Sequence, residues 1–526
     1  MVNVDVNVDG LTSKLQQLQE QLTKASYERD EYKKLYELVL LELERTRRHL
    51  FGKKAETVDS AQVQLAFADI AKALKAVDEL EGKVDDESAN KRAKRKARPH
   101  GRQQLPEHLP VERIELPTPP QVKAESDAYE YIGDDVSERL EWRTGSFVRV
   151  QIVRPKYSKK GAPEQGVVAA ELPPMPIDKG MAGPGLLANV LVSKFGDSLP
   201  LNRQSKIYKR QGVELSRSTL CGWVEQSDRL CRPVVEAMWE DALTESNYVA
   251  IDATGVLVWQ PERCRRGHFW VLISENEHVL FRYSAKHNKA AVHNLLRDYK
   301  GYVHADAATV FDFLYNKRGC TEVGCWAHSR RRFFDAISTD RDRALKAIGF
   351  IRTLYKIDRD TKDFPRKKRT LMRRKRAGPV VEEFFSWCDS EHLVVLPESP
   401  IGQAIGYARN QKDALCRFLE DGRLRLDNNW SERELRREAV GRRNWTFAGS
   451  DDGARWNTTF MSLIASCELH GIEPWAYLRD VLCLLPVWSD DQMLELAPKY
   501  WRTTIEKAEA QQLLNDNPVR RVSTQP

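Results

Sequence analysis

Residues 248–259 read YVAIDATGVLVW and residues 302–307 read YVHADA. Each is an apolar run of the kind a buried strand carries, and each is interrupted by a single carboxylate, Asp252 in the first and Asp306 in the second. Burying a carboxylate costs several kcal/mol unless a partner compensates it. One such Asp alone would as readily cap a turn at a sheet edge. Two in matching contexts on neighbouring strands would repel each other. A divalent cation between them relieves both the desolvation and the repulsion, because hard cations prefer carboxylate oxygen.

Working outward, HFWVLISENEHVLFRYS (residues 268–284) gives two further strands in a hairpin, Lys289 to Tyr299 an amphipathic helix, and EVGCWAH (residues 322–328) a fifth strand. The expected fold class is a multidomain α/β chain, with its catalytic core over 244–450. After Arg330 the pattern is helical until about Glu420, an insertion at about 335–420 that is very basic at Arg366, Lys367, Lys368, Arg369, Arg373, Arg374, Lys375 and Arg376. A third carboxylate should arrive on a helix. Asp427-Asn428-Asn429 makes a turn and cap, and Glu432 falls in the first turn of the helix that follows, with Arg433, Arg436 and Arg437 behind it. A carboxylate among arginines suits a site that handles polyanions; a helix with ordinary surface ion pairs would read the same way. Helix is expected at Ser431 to Glu438 and from Asn457 to Leu482, and 451–526 is read as a C-terminal helical region.

Upstream, Leu186 to Phe195, Leu201 to Arg210 and Ser218 to Gln226 read as three helices, with Gly212 as a turn and Ser216 as an N-cap. The region 181–243 therefore suits helix-turn-helix DNA binding, with Arg203, Lys209, Arg217, Ser218 and Thr219 as contacts, although any three-helix packing unit would look alike. Residues 106–180 alternate in the manner of a small β module, clearest at Phe147, Val148, Val150, Ile152 and Val153. Residues 85–105 are a linker ending in KRAKRKARPHGR, whose Lys94, Arg95, Lys96 and Arg98 favour phosphate. Within 1–84, Leu15, Leu18, Leu22, Ala25, Arg29, Tyr32, Tyr36, Val39, Leu43, Thr46 and Leu50 follow a heptad seam, flawed at Arg29 and Thr46. That pattern suits a coiled coil that oligomerises, or a helix docked on its own core.

Composition narrows the classes further. The chain has 526 residues, 41% of them hydrophobic, and a net charge of +7 from 83 basic and 76 acidic residues. Its nine cysteines do not fall in metal-ligand pairs, so a disulfide framework is not expected. No run of about 18 apolar residues would span a membrane, and MVNVDVNVDG lacks a signal-peptide pattern. The expectation is a soluble cytoplasmic protein.

HLFGKKAE, MAGPGLLANVLVSKFGDSLPLNRQSKIYKRQGVELSRSTLCGWV, IDATGV, ADA, CWAHSRRRFFD, the DNNWSERELR run, GRRNWTFAGSDDGA and GIEPWAYLRDVL occur in this order. In these motifs the chain resembles the insertion-sequence-66 family of bacterial transposases, of the DDE class, over nearly its whole length. The resemblance implies an RNase H-like core in which Asp252, Asp306 and Glu432 are catalytic and bind two Mg²⁺, with Mn²⁺ able to substitute. It implies a supporting role for Cys325 and His328, and contacts to DNA by Arg330, Arg331, Arg433, Arg436 and Arg437. Its partners would be double-stranded DNA (transposon ends and target), other copies of the chain, and accessory proteins of the same element. The chain departs from the family where a cysteine-rich zinc module is usual: Leu116 to Gly166 holds no Cys and no His, so no zinc is expected and the module should fold on apolar packing. The rival readings are a nuclease or resolvase on the same fold, and a domesticated DNA-binding or assembly factor with a dead site.

Overall fold

Two hairpin-rich sheets are stitched together by helices. The computed structural model describes residues 105–524, apart from 108, 144, 161–165, 179, 276 and 318. The heptad seam, the second amphipathic stretch and Lys94, Arg95, Lys96 and Arg98 lie outside the described residues. Everything described falls in one compact unit, 102–526.

The first sheet is built from β1 (Val111–Glu115), β2 (Tyr129–Arg143), β3 (Ser146–Lys159) and β4 (Val167–Ala169), in the order β1-β3-β2 with β4 also on β3. The long β2–β3 hairpin follows from the alternating side chains. On β3, Val148, Val150 and Ile152 point to one face and bury against Val519 and Val522 of the short helix Pro518–Thr524. Such burial stabilises by about 1.5–3 kcal/mol per large side chain. The apolar packing expected for this segment is therefore present, and its partner is the C-terminal end of the chain.

Three helices follow: α1 (Pro184–Leu191), α2 (Leu201–Arg210) and α3 (Arg217–Thr244). Gly212 turns the chain at φ +81°, and the Ser216 hydroxyl accepts from the Thr219 N–H at 3.0 Å, as the sequence suggests. Two bounds differ from expectation. The first helix passes after Leu191 into a wider turn at Val192–Gly196. The third does not stop near Gln226 but runs 28 residues, through Pro233, because its buried face continues as Cys231, Val234, Val235, Met238 and Trp239. Pro233 lies on the exposed side.

The second sheet has β5 (Tyr248–Val258), β6 (Arg265–Ser274), β7 (His278–Ser284), then α4 (Lys289–Leu296), β8 (Tyr302–His304) and β9 (Thr321–Val323). Its strand order is β7-β6-β5-β8-β9. The first three strands are antiparallel neighbours, whereas β8 is parallel to β5 and β9 to β8. Next come α5 (Trp326–Asp335), α6 (Arg341–Asp360), α7 (Arg366–Arg376), α8 (Gly378–His392) and α9 (Pro400–Asn410), then α10 (Asn429–Trp445), α11 (Asp451–Leu469) and α12 (Pro474–Leu484).

The single helix expected from Asn457 to Leu482 is two, broken where Gly471 takes φ +62° and Pro474 follows. The helix α11 lies along the edge strand β7. There the Ser462 and Ser466 hydroxyls accept the N–H groups of Phe281 and Val279 at 2.8 and 3.1 Å. The outer strand is thus finished by side chains rather than left open.

Candidate functional site

Asp252 lies on β5, whereas Asp306, expected inside a strand, lies two residues past the end of the adjacent parallel strand β8, because the pairing with β5 stops at His304. Ala250 pairs with His304, and each aspartate lies two residues beyond that couple, at 252 and 306. Both carboxylates are half-buried. Asp252 Oδ1 accepts the N–H of Ala253 at 2.7 Å. Asp306 makes no hydrogen bond and no ion pair among the described residues.

Glu432 is brought to the same end of the sheet by Asn428, which is 1% exposed. Its Nδ2 donates to the carbonyl of Ile251 at 3.0 Å, the residue before Asp252, and its backbone N–H donates to the Cys325 sulfur at 3.3 Å. The far end of α10 is tied to the same strand by a hydrogen bond from Arg442 to the Gly255 carbonyl. Glu432 sits in the first turn of α10, where the helix dipole favours a negative charge. Its carboxylate lies 3.6 Å from His328 Nε2 and 3.6 Å from Arg331, both on α5. Burial lowers the proton affinity of His328, and Arg331 adds to this, while Glu432 and Asp306 oppose it. His328 therefore feels both carboxylates. Its Nδ1 and the Asn428 Oδ1 are buried without a hydrogen-bond partner.

The donor set suits a hard divalent cation, with three half-buried carboxylates and one of them, Asp306, without a protein partner. Among the described residues, however, no group of three or more His, Cys, Asp and Glu side chains stands close enough together to hold one ion. The three carboxylates share a region without forming a closed coordination sphere.

The remaining expected residues divide into two kinds. Arg217, Ser218, Arg330, Arg331, Arg433 and Arg436 are exposed, and Thr219 is half-buried against the Ser216 cap. Arg203 is exposed and donates to the Asn444 side chain at 3.3 Å, which links α2 to the end of α10. Lys209 is exposed and paired with Glu214 at 2.7 Å. Arg437 differs: its guanidinium forks onto Glu468 at 2.9 and 2.7 Å and also meets Glu434 at 2.7 Å, so it joins α10 to α11. Much of the basic insertion is likewise structural. Arg373 is fully buried, bonded to Asp358 and to the carbonyls of Phe418, Asp421 and Leu424, and Arg366 grips Asp421 with two nitrogens.

Sequence reasoning read Asp427 and Asn428 as a turn and cap but not their distant partners, and it missed Tyr355 and Arg425. Asp427 accepts from Tyr355 at 2.7 Å and from Asn429, which fixes the turn before Glu432. A cavity of about 550 Å³ opens beside that turn, lined by Tyr248, Tyr355, Arg369, Arg425, Asp427 and Trp430. The Arg425 guanidinium lies 3.8 Å above the centre of the Trp430 ring. The repeated Asn of the D-N-N run was the available signal for Asn428; nothing local marks Tyr355.

Comparisons with known proteins agree along the chain. A family model described as "Transposase IS66 family" matches residues 179–456, one described as "Transposase C of IS166 homeodomain" matches 40–114, and one described as "IS66 C-terminal element" matches 462–498. Among relatives in Sinorhizobium fredii, the uncharacterized protein y4qI is 30% identical over 84% of each chain. Its companions y4hP and y4jD are 28% and 27% identical, over 88% of each chain for the first and over 87% of this chain and 93% of the relative for the second. No helix among the described residues is long and apolar enough to cross a membrane. With motif order, strand pairing and a match over more than half its length in agreement, the chain belongs to the IS66 family of transposases.

Proposed function

We propose that this transposase cuts and joins DNA at Asp252, Asp306 and Glu432 on an RNase H-like core. The observation that carries the reading is that Asp252 on β5 and Asp306 just past the end of the parallel neighbour β8 each lie two residues beyond the paired Ala250 and His304, with Asn428 tying the Glu432 helix to the strand of Asp252. The strand order supports it too, three antiparallel strands followed by two that return parallel to the first.

In this reading the three carboxylates hold two Mg²⁺, or Mn²⁺ in their place, which when bound supply Lewis-acid activation of the attacking oxygen and charge stabilisation of the leaving one. The residues of the chain do the positioning. Asn428 and Cys325 fix the start of α10, and His328 and Arg331 orient the Glu432 carboxylate. Exposed Arg330, Arg331, Arg433 and Arg436 track the phosphate backbone, as do Lys94, Arg95, Lys96 and Arg98 in the linker. The α2–α3 pair acts as the helix-turn-helix that recognises transposon ends, through Arg203, Lys209, Arg217, Ser218 and Thr219. The heptad segment joins copies of the chain, in the cytoplasm and together with the element's accessory proteins. No zinc enters this reading, since Leu116 to Gly166 offers no Cys and no His.

A second reading, a DNA-binding assembly factor derived from a transposase, is favoured by one observation: the carboxylates do not close around a single point. One assay separates the two. The purified chain is incubated with Mg²⁺ and a duplex carrying the inverted repeats that flank its gene. Strand cleavage is expected, and Asp252→Asn, Asp306→Asn and Glu432→Gln should each lower it by orders of magnitude while end binding persists. Binding without any cleavage by the unaltered chain would favour the assembly factor.

A further inference from the structure

A cavity of about 290 Å³ opens between α2, α3 and the segment that joins α10 to α11. Its walls include Phe195, Trp445, Phe447 and Trp456, and among the polar side chains that interrupt them are Lys194 and Asn457. Both carry hydrogen-bonding capacity that the fold does not use. Among the described residues the Lys194 ammonium has no hydrogen-bond or ion-pair partner, and the Phe195 ring centre lies 5.0 Å from it. The Asn457 Nδ2 donates to Glu438 Oε2 at 3.3 Å, but Asn457 Oδ1 is buried and unpartnered. Behind it the Glu438 Oε1 is also buried and unpartnered. Burial pushes the Glu438 carboxyl up to about 8, which favours its protonated, donating form.

Aromatic faces around a few unpaired donors and acceptors are what an unstacked nucleobase requires, with stacking on its faces and hydrogen bonds to its edge. A phosphate suits the cavity poorly. The lining is mostly apolar, and Asp451 and Asp452 stand in the first turn of α11 at its rim. Exposed Arg217 precedes the lining residue Cys221 by one helical turn, which puts a cation suited to the DNA backbone on the same helix face as the opening.

We propose that this cavity receives one base displaced from a DNA duplex, stacked on the aromatic walls and held at its edge by Lys194 and Asn457. The inference rests on the DNA-handling reading above, and it adds a subsite outside the three carboxylates.

The test is equilibrium binding, by fluorescence anisotropy without divalent cation, to three labelled hairpins. One is fully paired, one carries a single extrahelical thymine, and one carries an abasic residue at the same bulge. The unaltered chain should hold the thymine bulge about tenfold more tightly than either of the others, the order expected for one stacked base. Lys194→Met and Phe447→Ser should each remove most of that preference and leave the paired hairpin bound as before. Phe447 is 42% exposed, so its replacement leaves the core intact. Equal affinity for all three hairpins, or a thymine preference that survives both substitutions, would overturn the subsite and leave the transposase reading standing. Failure to bind any of the three would overturn both.

Discussion

Asn428 occupies the joint of the proposed site. Its side chain holds the Ile251 carbonyl, its backbone meets the Cys325 sulfur, and the helix of Glu432 starts one residue later. A misplacement of about 1 Å in a reacting group can cost about a hundredfold in rate. Asn428→Ala should therefore reduce cleavage of end-containing DNA at least tenfold, with end binding kept. It should also cost about 1–3 kcal/mol of stability, because the buried Ile251 carbonyl loses its donor. Cleavage rates and a denaturant titration check both, and unchanged cleavage would remove Asn428 from the positioning role. The residues that matter here differ in legibility. Asp252 and Asp306 stand out in the sequence because a carboxylate inside an apolar run is anomalous wherever it occurs. Asn428 and Tyr355 do not, because their partners lie far along the chain, at Ile251 and Asp427. Arg373 and Arg437 mislead for the converse reason: a basic run looks solvated until the carboxylates that claim it, Asp358 and Glu468, are seen in space.

At the level of elements, α1 is capped by a buried carboxyl rather than by its own N-cap. Glu141 on β2 is fully buried, and its Oε1 accepts the N–H groups of Trp142 and Leu186, each at 2.7 Å. Gly183 and Gly185 make room for it: a Cβ at either would come within 2.7 Å of a Glu141 oxygen. Burial raises this carboxyl to about 8, against the opposing backbone hydrogen bonds. The group ionises near 4.5 in the unfolded chain. Below that pH both states are protonated and its contribution to stability is full. As pH rises towards 8 the unfolded chain loses the proton and the folded one keeps it, so stability falls across this window and then levels off. Glu141→Gln should flatten the decline in melting temperature between pH 5 and pH 8. It should do so in part only, because Glu438 is raised to the same range by burial. An identical decline in the variant would mean that Glu141 is ionised in the fold. Strand periodicity located β5 to β7 well, since an apolar run of strand length needs only neighbours; the run read as a fifth strand over 322–328 is strand only to Val323 and helix from Trp326, whose buried ring packs among other helices. Helix ends were harder: α3 ignores a proline because its buried stripe continues, and the α11–α12 break depends on a glycine whose positive φ appears only in three dimensions.

Taken whole, the described residues form one unit in which the first sheet leans on the last helix, through Val150 and Val519 among others. Removing the N-terminal segment should thus leave that unit folded. Deleting Met1 to Leu50 is expected to lower the mass seen by light scattering to that of a monomer, with the circular dichroism melt of the core retained. An unchanged mass would assign oligomerisation to another surface.

The serines of α11 along β7 also set a schedule for synthesis. Phe281 and Val279 find their hydroxyl partners 181 and 187 residues later in the chain. At about 5–20 residues per second, translation takes about 10–40 s to cover that interval. For that time the nascent sheet has an outer strand whose amides are without their eventual acceptors, and such an edge invites pairing with other chains. Products that end before Asp451 never acquire the cover. A frameshifted or prematurely terminated chain of this kind should therefore enter inclusion bodies or be degraded, and few half-made copies would persist beside the complete ones.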